Sequence, residues 1–579
     1  MRYIKSYLSM LFILFSAHLM SQGILEKTNG QSLTQMQLNL VKDFAKENIN
    51  TSSVYQFSPA IFKENGIELS YKGVDYNFVG AKTNIRSAEE FYWVGEDMNN
   101  AATIHLYFYK GACMGRATID GAPYDIQDLG NGQVVLYSIP FFEGEGDDQV
   151  DVSKEFSEES VAETRSSAGP AECKVRVLVA FSNQVDIEGR DFIAVAKARI
   201  NDMNLQFANS GINHEVVLAG VSPINFDEPT SITANCSSLQ CQALYDSRVL
   251  PEVTTLRQLH DADLVVTVIS FGTGTAFRRD IDETPTPNDG FSVISWNNFN
   301  SSTLKTFSHE LGHNYGCRHN IEVDPEVDYT HGYNAFLDGA ANWNTIMSYY
   351  NGCGCSRIDH YSNPNISYNG VPTGPDSNIH DCARTINERA SALSGFEDSP
   401  THKQLQADVL GVNDYAYVYG NQDITTYNNY IIGPGADVVF EAPGLICMDV
   451  GFEVQLGAAF EVRSGSCGPP ITLTDSNEEM VETRNVIIGK QEELVGLSIY
   501  PNPMTTESVI EFQNPMTQKV NLFITNMEGK LMHSYHNNER LAEGKYSYKL
   551  DGLSSANGVY LCTMIIGQEV IQKRFVVSK

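Results

Sequence analysis

"TFSHELGHNYGCRHN", residues 306–320, sets three histidines and a glutamate at fixed intervals. The spacing predicts a helix over 301–315, with Leu304, Phe307, Leu311 and Tyr315 on one face. His309 and His313, one turn apart, fall on about the opposite face. Imidazoles at i and i+4 aim at a single point, which makes two-thirds of a metal site. Glu310 lies beside that point without being forced to act as a ligand. Gly316 can take positive φ and end the helix sharply, so that His319 swings back as a third ligand. Three nitrogens leave the fourth position of a tetrahedral zinc open to water, the catalytic rather than the structural arrangement. Glu310 is then placed as general base, taking a proton from water and passing it to the leaving amine. The reaction expected is peptide-bond hydrolysis without a covalent acyl-enzyme. A bare HExxH is common, but the full H-E-x-x-H-x-x-G-x-x-H fixes five positions behind an apolar-faced helix.

Working outward, the chain has 579 residues, enough for three or four domains, and 42% hydrophobic content, enough for real cores. A net charge of −32 excludes a nucleic-acid binder, which needs a basic footprint, and fits an acidic, soluble surface. Arg2 and Lys5, an apolar run from Leu8 to about Met20 and small Ser21 read as a secretory signal peptide over 1–21. No later stretch is long and apolar enough for a transmembrane segment. Export puts the 11 cysteines in an oxidising setting. Cys236 and Cys241 are close enough to staple a loop, and Cys447 and Cys467 could pair within one later region. Cys317, Cys353, Cys355 and Cys382 lie in the histidine region, where "CGC" (353–355) reads as disulfide-forming. Connectivity stays open.

Residues 22–142 are strand-rich, with "ATIHLYFYKGACMGRATIDG" the clearest stretch. The acidic run 143–172 reads as a solvated linker, with Arg165 a plausible cut. Over 173–397 strands interleave with helices, as in one α/β domain. Residues 398–490 form a β-rich spacer or accessory domain. Residues 497–579 carry alternating strands suggesting a sandwich.

Downstream of the histidines, "NTIMSYY" (344–350) supplies a methionine turn, and with it the chain resembles the metzincin zinc peptidases. "HELGHNYG", "DADLVV" and "FANSGI" resemble the reprolysin (adamalysin-like) branch, over 173–397. The resemblance implies an α/β (α+β) catalytic domain with a twisted, mainly parallel sheet and an active-site helix. It also implies one catalytic Zn2+ on His309, His313 and His319, Met347 as an apolar floor, and protein or peptide substrates. Two departures stand out. Asn320 replaces the usual Asp, and Tyr349 is a feature of astacins and serralysins, giving it an accessory role near the metal. "HYSNPNISYNG" (360–370) is expected to shape the primed-side pocket, and His331, His360 and His380 to be structural. Calcium is not predicted, because the acidic "IEVDPEVD" (321–328) lacks a ligand spacing.

The N-terminal region resembles a latency-imposing pro-domain, and Cys113 in "KGACMGR" is a candidate zymogen switch whose thiolate would take the open zinc position. "YPNP" (500–503), "NGVY" (557–560) and "KRFVVSK" resemble the sorting domain of type IX secretion cargo. That implies passage through the periplasm and outer membrane of a Gram-negative bacterium by the secretion machinery, to a secreted or cell-surface location. The competing reading is a surface adhesin on a catalytically weak metzincin scaffold. It is disfavoured by the presence of all three histidines and Glu310.

Overall fold

The computed structural model describes residues 23–27, 33–45, 52–57, 66–83, 85–87, 90–139, 148–151, 174–185, 190–233, 236–349, 355–397, 399–405, 409–410, 414–427, 429–448, 451–464 and, beyond these, 498–500, 508–514, 517–526, 530–542, 544–550, 558–566 and 569–577. The signal peptide, Arg165, Cys353, Cys467, the "PNP" of 501–503 and Asn557 lie outside them. The chain divides into two compact units, Met1–Thr474 and Asp475–Lys579.

The first nine strands close into a barrel. They are β1 (Gly23–Lys27), β2 (Ser53–Gln56), β3 (Gly66–Tyr71), β4 (Val74–Thr83), β5 (Glu90–Asp97), β6 (Ala102–Tyr109), β7 (Ala112–Ile119), β8 (Ala122–Gly130) and β9 (Gln133–Ser138). Their order is β1-β2-β9-β8-β7-β6-β5-β4-β3. Tight hairpins make this topology. Lys72-Gly73, Lys110-Gly111, Asp120-Gly121 and Asn131-Gly132 all have positive φ at both residues. That backbone pair matches the right-handed strand twist, and glycine takes its second position without strain. Tyr55, Phe78, Trp93, Leu106 and Leu136 fill the barrel.

The histidine region lies on a second, larger sheet. Its strands β11 (Lys174–Ser182), β12 (Glu215–Ile224), β13 (Leu264–Ile269) and β15 (Phe291–Ser295) are parallel, while β14 (Gly274–Arg278) runs antiparallel to β15. β13 is buried along its whole length, as a strand covered on both faces requires. The α-helix Phe192–Asn209 packs on this sheet and on the helix carrying His309. Between the barrel and this sheet, β10 (Asp148–Asp151) pairs in parallel with β14, so part of the stretch read as a solvated linker is a strand at the sheet edge.

Residues 402–464 form three rungs of parallel strands on three faces. One face is His402–Leu405, Asp423–Thr426 and Ile446–Met448, the second Val409–Leu410, Ile431–Ile432 and Glu453–Val454. The third, Tyr415–Tyr419, Asp437–Ala442 and Ala459–Ser464, joins β12 through Gly220 and Ala416, completing a nine-stranded sheet. Tyr430, Phe440, Phe452 and Phe460 pack within or against this coil. The stretch read as a spacer thus extends the histidine-bearing sheet. In the second unit, sheets of three and four strands share a core of Ile510, Phe512, Leu522 and Cys562, which is a sandwich.

The barrel is tied to the second sheet by alternation along β7. Ala112 and Met114 enter the core shared with Val177 and Phe207, while Cys113 between them enters the barrel core. Across the seam, Arg116 pairs with Asp202 (2.6 Å) and Asp359 (2.9 Å). Lys197 pairs with Glu90 (3.0 Å) and Asp437 (2.6 Å). Among the described residues, no helix is long and apolar enough to cross a membrane.

Candidate metal centre

The helix expected over 301–315 is Thr306–Asn314. Lys305 takes φ 58°, a left-handed conformation that stops the helix from starting earlier. Phe307, Leu311 and Tyr315 face the core as the spacing requires. Asn314 fixes the far end, its Nδ2 donating to the carbonyls of Phe277 (3.0 Å), Asp289 (2.9 Å) and Phe291 (3.0 Å). Gly316 takes φ 97°, and the chain turns back to bring His319 over the helix.

The three Nε2 atoms converge. His309 and His313 are 3.2 Å apart, His313 and His319 3.0 Å, and His319 and His309 3.2 Å. His309 Nδ1 lies 2.7 Å from Ile346 O and His313 Nδ1 2.8 Å from Cys317 O. A carbonyl only accepts, so both Nδ1 atoms carry the proton and both Nε2 atoms point lone pairs at the shared centre. Nitrogens about 2.0–2.1 Å from one tetrahedral zinc stand about 3.3 Å apart, close to the observed spacing. The donor set therefore fits a zinc ion. Burial holds all three imidazoles neutral, the state a ligand needs. It lowers His309 and His319, helped by Arg357 at the first and His313 at the second, and brings His313 down to about 3. Among the described residues these three histidines are the group suited to hold a metal.

Around the triad each remaining residue has a definite place. Met347 lies beneath: a β-carbon on Gly312 would stand 2.3 Å from its Sδ, so the helix needs glycine there. Glu310 is fully buried against the start of β14, where a β-carbon on Gly274 would meet its Oε1 at 2.3 Å. The Tyr349 ring lies 4.0 Å from that of His319, and its backbone N–H donates to Asn320 Oδ1 (3.0 Å). Asn320 thus ties the third ligand's loop to the methionine turn. His331 Nδ1 is 2.7 Å from His319 O and steadies that loop from behind. His360 and His380 contact Tyr368 and Tyr333 respectively. The acidic stretch after His319 wraps a cation of its own: Arg318 pairs with Asp280, Asp324 (3.0 Å), Glu326 (2.9 Å) and Asp328 (3.1 Å).

Cys113 is corrected. It sits in the barrel core with its N–H on Asp128 Oδ1 (3.1 Å), and burial raises its thiol well above the usual range. β7 turns it away from the histidine-bearing core, so it is not a metal-facing thiolate. Cys236 and Cys241 are bonded, as their spacing suggested. Cys355 is disulfide-bonded. Cys317 and Cys382 are buried free thiols, and Cys447 is an exposed one, which corrects its pairing with Cys467.

β14 and Arg357 were not singled out from sequence. β14 is short and unpatterned in "GTAFRRD". Arg357 is one basic residue in an irregular segment, and only the fold brings it to the carbonyls of Ser348 and Leu304.

Residues 172–362 match a family described as Metallo-peptidase family M12, and residues 498–578 one described as Secretion system C-terminal sorting domain. The chain is similar to the peptidyl-Asp metalloendopeptidase of Stenotrophomonas maltophilia (strain R551-3), 29% identical over 230 residues, 39% of this chain and 53% of the relative. It is equally similar, 29% over 230 residues, to that of Xanthomonas campestris pv. campestris, covering 39% of this chain and 52% of the relative. A stretch of 73 residues, 12% of this chain and 48% of the relative, is 38% identical to that of Pseudomonas fragi. The chain spans about half the length of these curated relatives.

Proposed function

We propose, for a chain that carries an M12 metallopeptidase domain and a secretion sorting domain, that it is an exported zinc endopeptidase acting on proteins with an aspartate at the cleaved bond. The observation that carries the reading is the convergence of three neutral imidazole Nε2 atoms beside a buried carboxylate. The aspartate comes from the relatives' peptidyl-Asp naming.

His309, His313 and His319 would hold the zinc, which supplies an acidified water and polarises the scissile carbonyl. Glu310 accepts the proton of that water and returns it to the leaving nitrogen. Its burial against Gly274 strengthens its field at the site. The Tyr349 hydroxyl, on a ring beside His319, donates to charge developing on the carbonyl oxygen. Residues 22–142 act as the latency-imposing part of a precursor, by steric means rather than through a thiolate. β10 supports this. It adds to the sheet edge at β14, beside Glu310, where an extended substrate would otherwise add its own strand. Residues 497–579 direct export through the type IX machinery, to the surface or medium of a Gram-negative bacterium.

The test is digestion of a protein mixture by processed, zinc-loaded enzyme, with and without a chelator, read by mass spectrometry of the new termini. Chelator-sensitive cleavage at aspartate supports the reading. A protein that holds one zinc and cleaves nothing overturns it.

A further inference from the structure

Cys317 and Cys382 are both fully buried, and each thiol rests against the segment that carries the other. Cys317 Sγ stands 3.7 Å from Cys382 O, and the two thiol groups lie within hydrogen-bonding reach of each other. Cys382 Sγ donates to Thr330 O at 3.0 Å, the same carbonyl that accepts from Arg318 N at 2.9 Å. Cys382 is the first residue of the helix Cys382–Leu393, and its N–H is held by Ser362 Oγ (3.0 Å). Cys317 stands just past the active-site helix. Its N–H donates to Gly312 O (2.9 Å), and its carbonyl lies 2.8 Å from His313 Nδ1. Two segments 65 residues apart in sequence thus bring their thiols together beside the turn that returns His319.

We infer that Cys317 and Cys382 are joined by a disulfide in the exported protein, and that this bond holds the loop of the third ligand to the domain. The inference goes beyond the peptidase reading and does not need it. It needs export, which the sorting domain at 498–578 supports, because disulfides form and persist outside the cytoplasm. The chain makes such bonds elsewhere, between Cys236 and Cys241 and at Cys355. An oxidant of the disulfide class suffices. One cysteine sulfur attacks its S–S bond and expels a thiolate, and the other attacks the mixed disulfide and expels the second. Two electrons pass to the oxidant, which leaves as two thiols carrying the two cysteine protons. Both sulfurs are shut away from solvent in the folded domain, so the bond forms during folding and is then protected from reduction. Losing the S–H groups strands no acceptor. Thr330 O keeps the Arg318 N–H, and Cys382 O, in the first turn of a helix, is bonded by the chain one turn on. The chain between the two cysteines carries His319, Met347 and Tyr349. Joining the ends of so long a segment removes much of the freedom it would gain when the domain opens. His309 and His313 are held by their helix, so His319 is the ligand that the bond secures.

The experiment takes the full chain, exported and purified without reductant, alkylates it under denaturing conditions and maps its peptides before and after reduction. Cys317 and Cys382 should appear in one linked peptide pair and become alkylatable only after reduction. Either cysteine alkylated before reduction, or linked to any other cysteine, overturns the inference. Zinc-loaded Cys382→Ala should melt about 10 °C below the wild type and lose zinc to a chelator at least about fivefold faster. Cys113→Ala, the same truncation of a buried thiol in the barrel core, is the reference for lost packing alone. Losses in Cys382→Ala no larger than in Cys113→Ala overturn the claim that the bond holds the loop. If Cys382→Ala does not fold, the wild-type map still decides the bond, and Cys382→Ser, close to cysteine in size, decides its effect on the loop. Each readout needs no substrate, so a chain that cleaves nothing at aspartate can still pass or fail this test.

Discussion

The metal centre and the seam between barrel and sheet are both buried polar clusters, built on opposite principles. At the centre His309, His313 and His319 are at most 5% exposed and neutral, with their Nε2 atoms facing one another at 3.0–3.2 Å. That convergence is the arrangement a metal cation would complete. At the seam Lys197, 2% exposed, is held between Glu90 and Asp437, and Arg116, 6% exposed, between Asp202 and Asp359. These groups are charged and already answered. Burial works against the charge in both places. The centre yields to it and becomes neutral, whereas at the seam burial is outweighed only by several groups together, Arg116 with Arg199 at Asp202 and Arg116 with Lys305 at Asp359, which hold both below the usual carboxylate range. Buried polarity that awaits a partner marks a site, and buried polarity that has its partners marks a joint.

The sharpest way to break the comparison is to change each cluster and read the other's property. Glu310→Gln should cut kcat by about 10³-fold, with zinc content by atomic absorption and the melting temperature unchanged. A comparable loss of stability would mean that Glu310 belongs to a joint. Lys197→Met should do the reverse. It takes the buried ammonium away from Asp437 and from Glu90, which keeps Arg86 at 3.3 Å, and urea unfolding should show a loss of about 3 kcal/mol, with the zinc content of the folded fraction intact. Adding Asp437→Leu should recover part of that loss, because removing both partners of a buried pair costs less than removing one.

The same contrast explains what the sequence disclosed. The three ligands lie within eleven residues, 309–319, and helical periodicity alone sets two of them together. Gly316 signals the reversal that brings the third. The seam joins Glu90, Lys197 and Asp437, which are 107 and 240 residues apart along the chain, and no local pattern couples them. The barrel's hairpins were legible as a strand-rich region because each turn is local. Its closure, through the pairing of β1 with both β2 and β3, was not. The rungs over 402–464 were legible as strands, but a parallel coil pairs each strand with one a full turn away, as His402–Leu405 does with Asp423–Thr426. Cys113 misled because a conspicuous residue on a strand gives no sign of which face looks toward which core. That depends on the docking of Ala112 and Met114.

Smaller effects sharpen the boundary between site and joint. Tyr349→Phe removes a hydroxyl beside His319 and should lower kcat about tenfold, with KM and zinc content little changed. A loss confined to KM would make Tyr349 a wall of the pocket. Cys113→Ala should leave the precursor as latent as the wild type and cost about 1 kcal/mol of stability through the methylene-scale cavity it opens. Premature activity in that variant would return Cys113 to the metal.

The least effect separates the two clusters by pH. His105 stands at the seam, its Nδ1 accepting from Arg116 Nη2 at 3.3 Å. Burial, with Arg116 beside it, lowers the imidazole from 6.5 to about 3. Between those values the unfolded chain binds a proton that the folded chain refuses. The contribution of His105 is therefore fully present above about pH 6.5 and drains away as pH falls toward 3. Asp202 and Asp359 are lowered too, but from a lower unfolded value, so their contribution is present above the unfolded carboxylate value, about 4, and is lost only below it. The two windows do not coincide. Urea unfolding between pH 7 and 5 should show a stability loss of under about 1 kcal/mol per pH unit from His105, which is only partly buried and hence partly screened. Burial lowers the histidines of the metal centre as well, so the decisive quantity is the difference between wild type and His105→Gln, from which they cancel. A difference that flattens the slope above pH 5 and leaves the fall below pH 4 intact assigns the two windows to the two kinds of group. An identical slope in both proteins would mean that His105 takes up its proton in the folded chain, and that the seam is not the closed set of charges its distances describe.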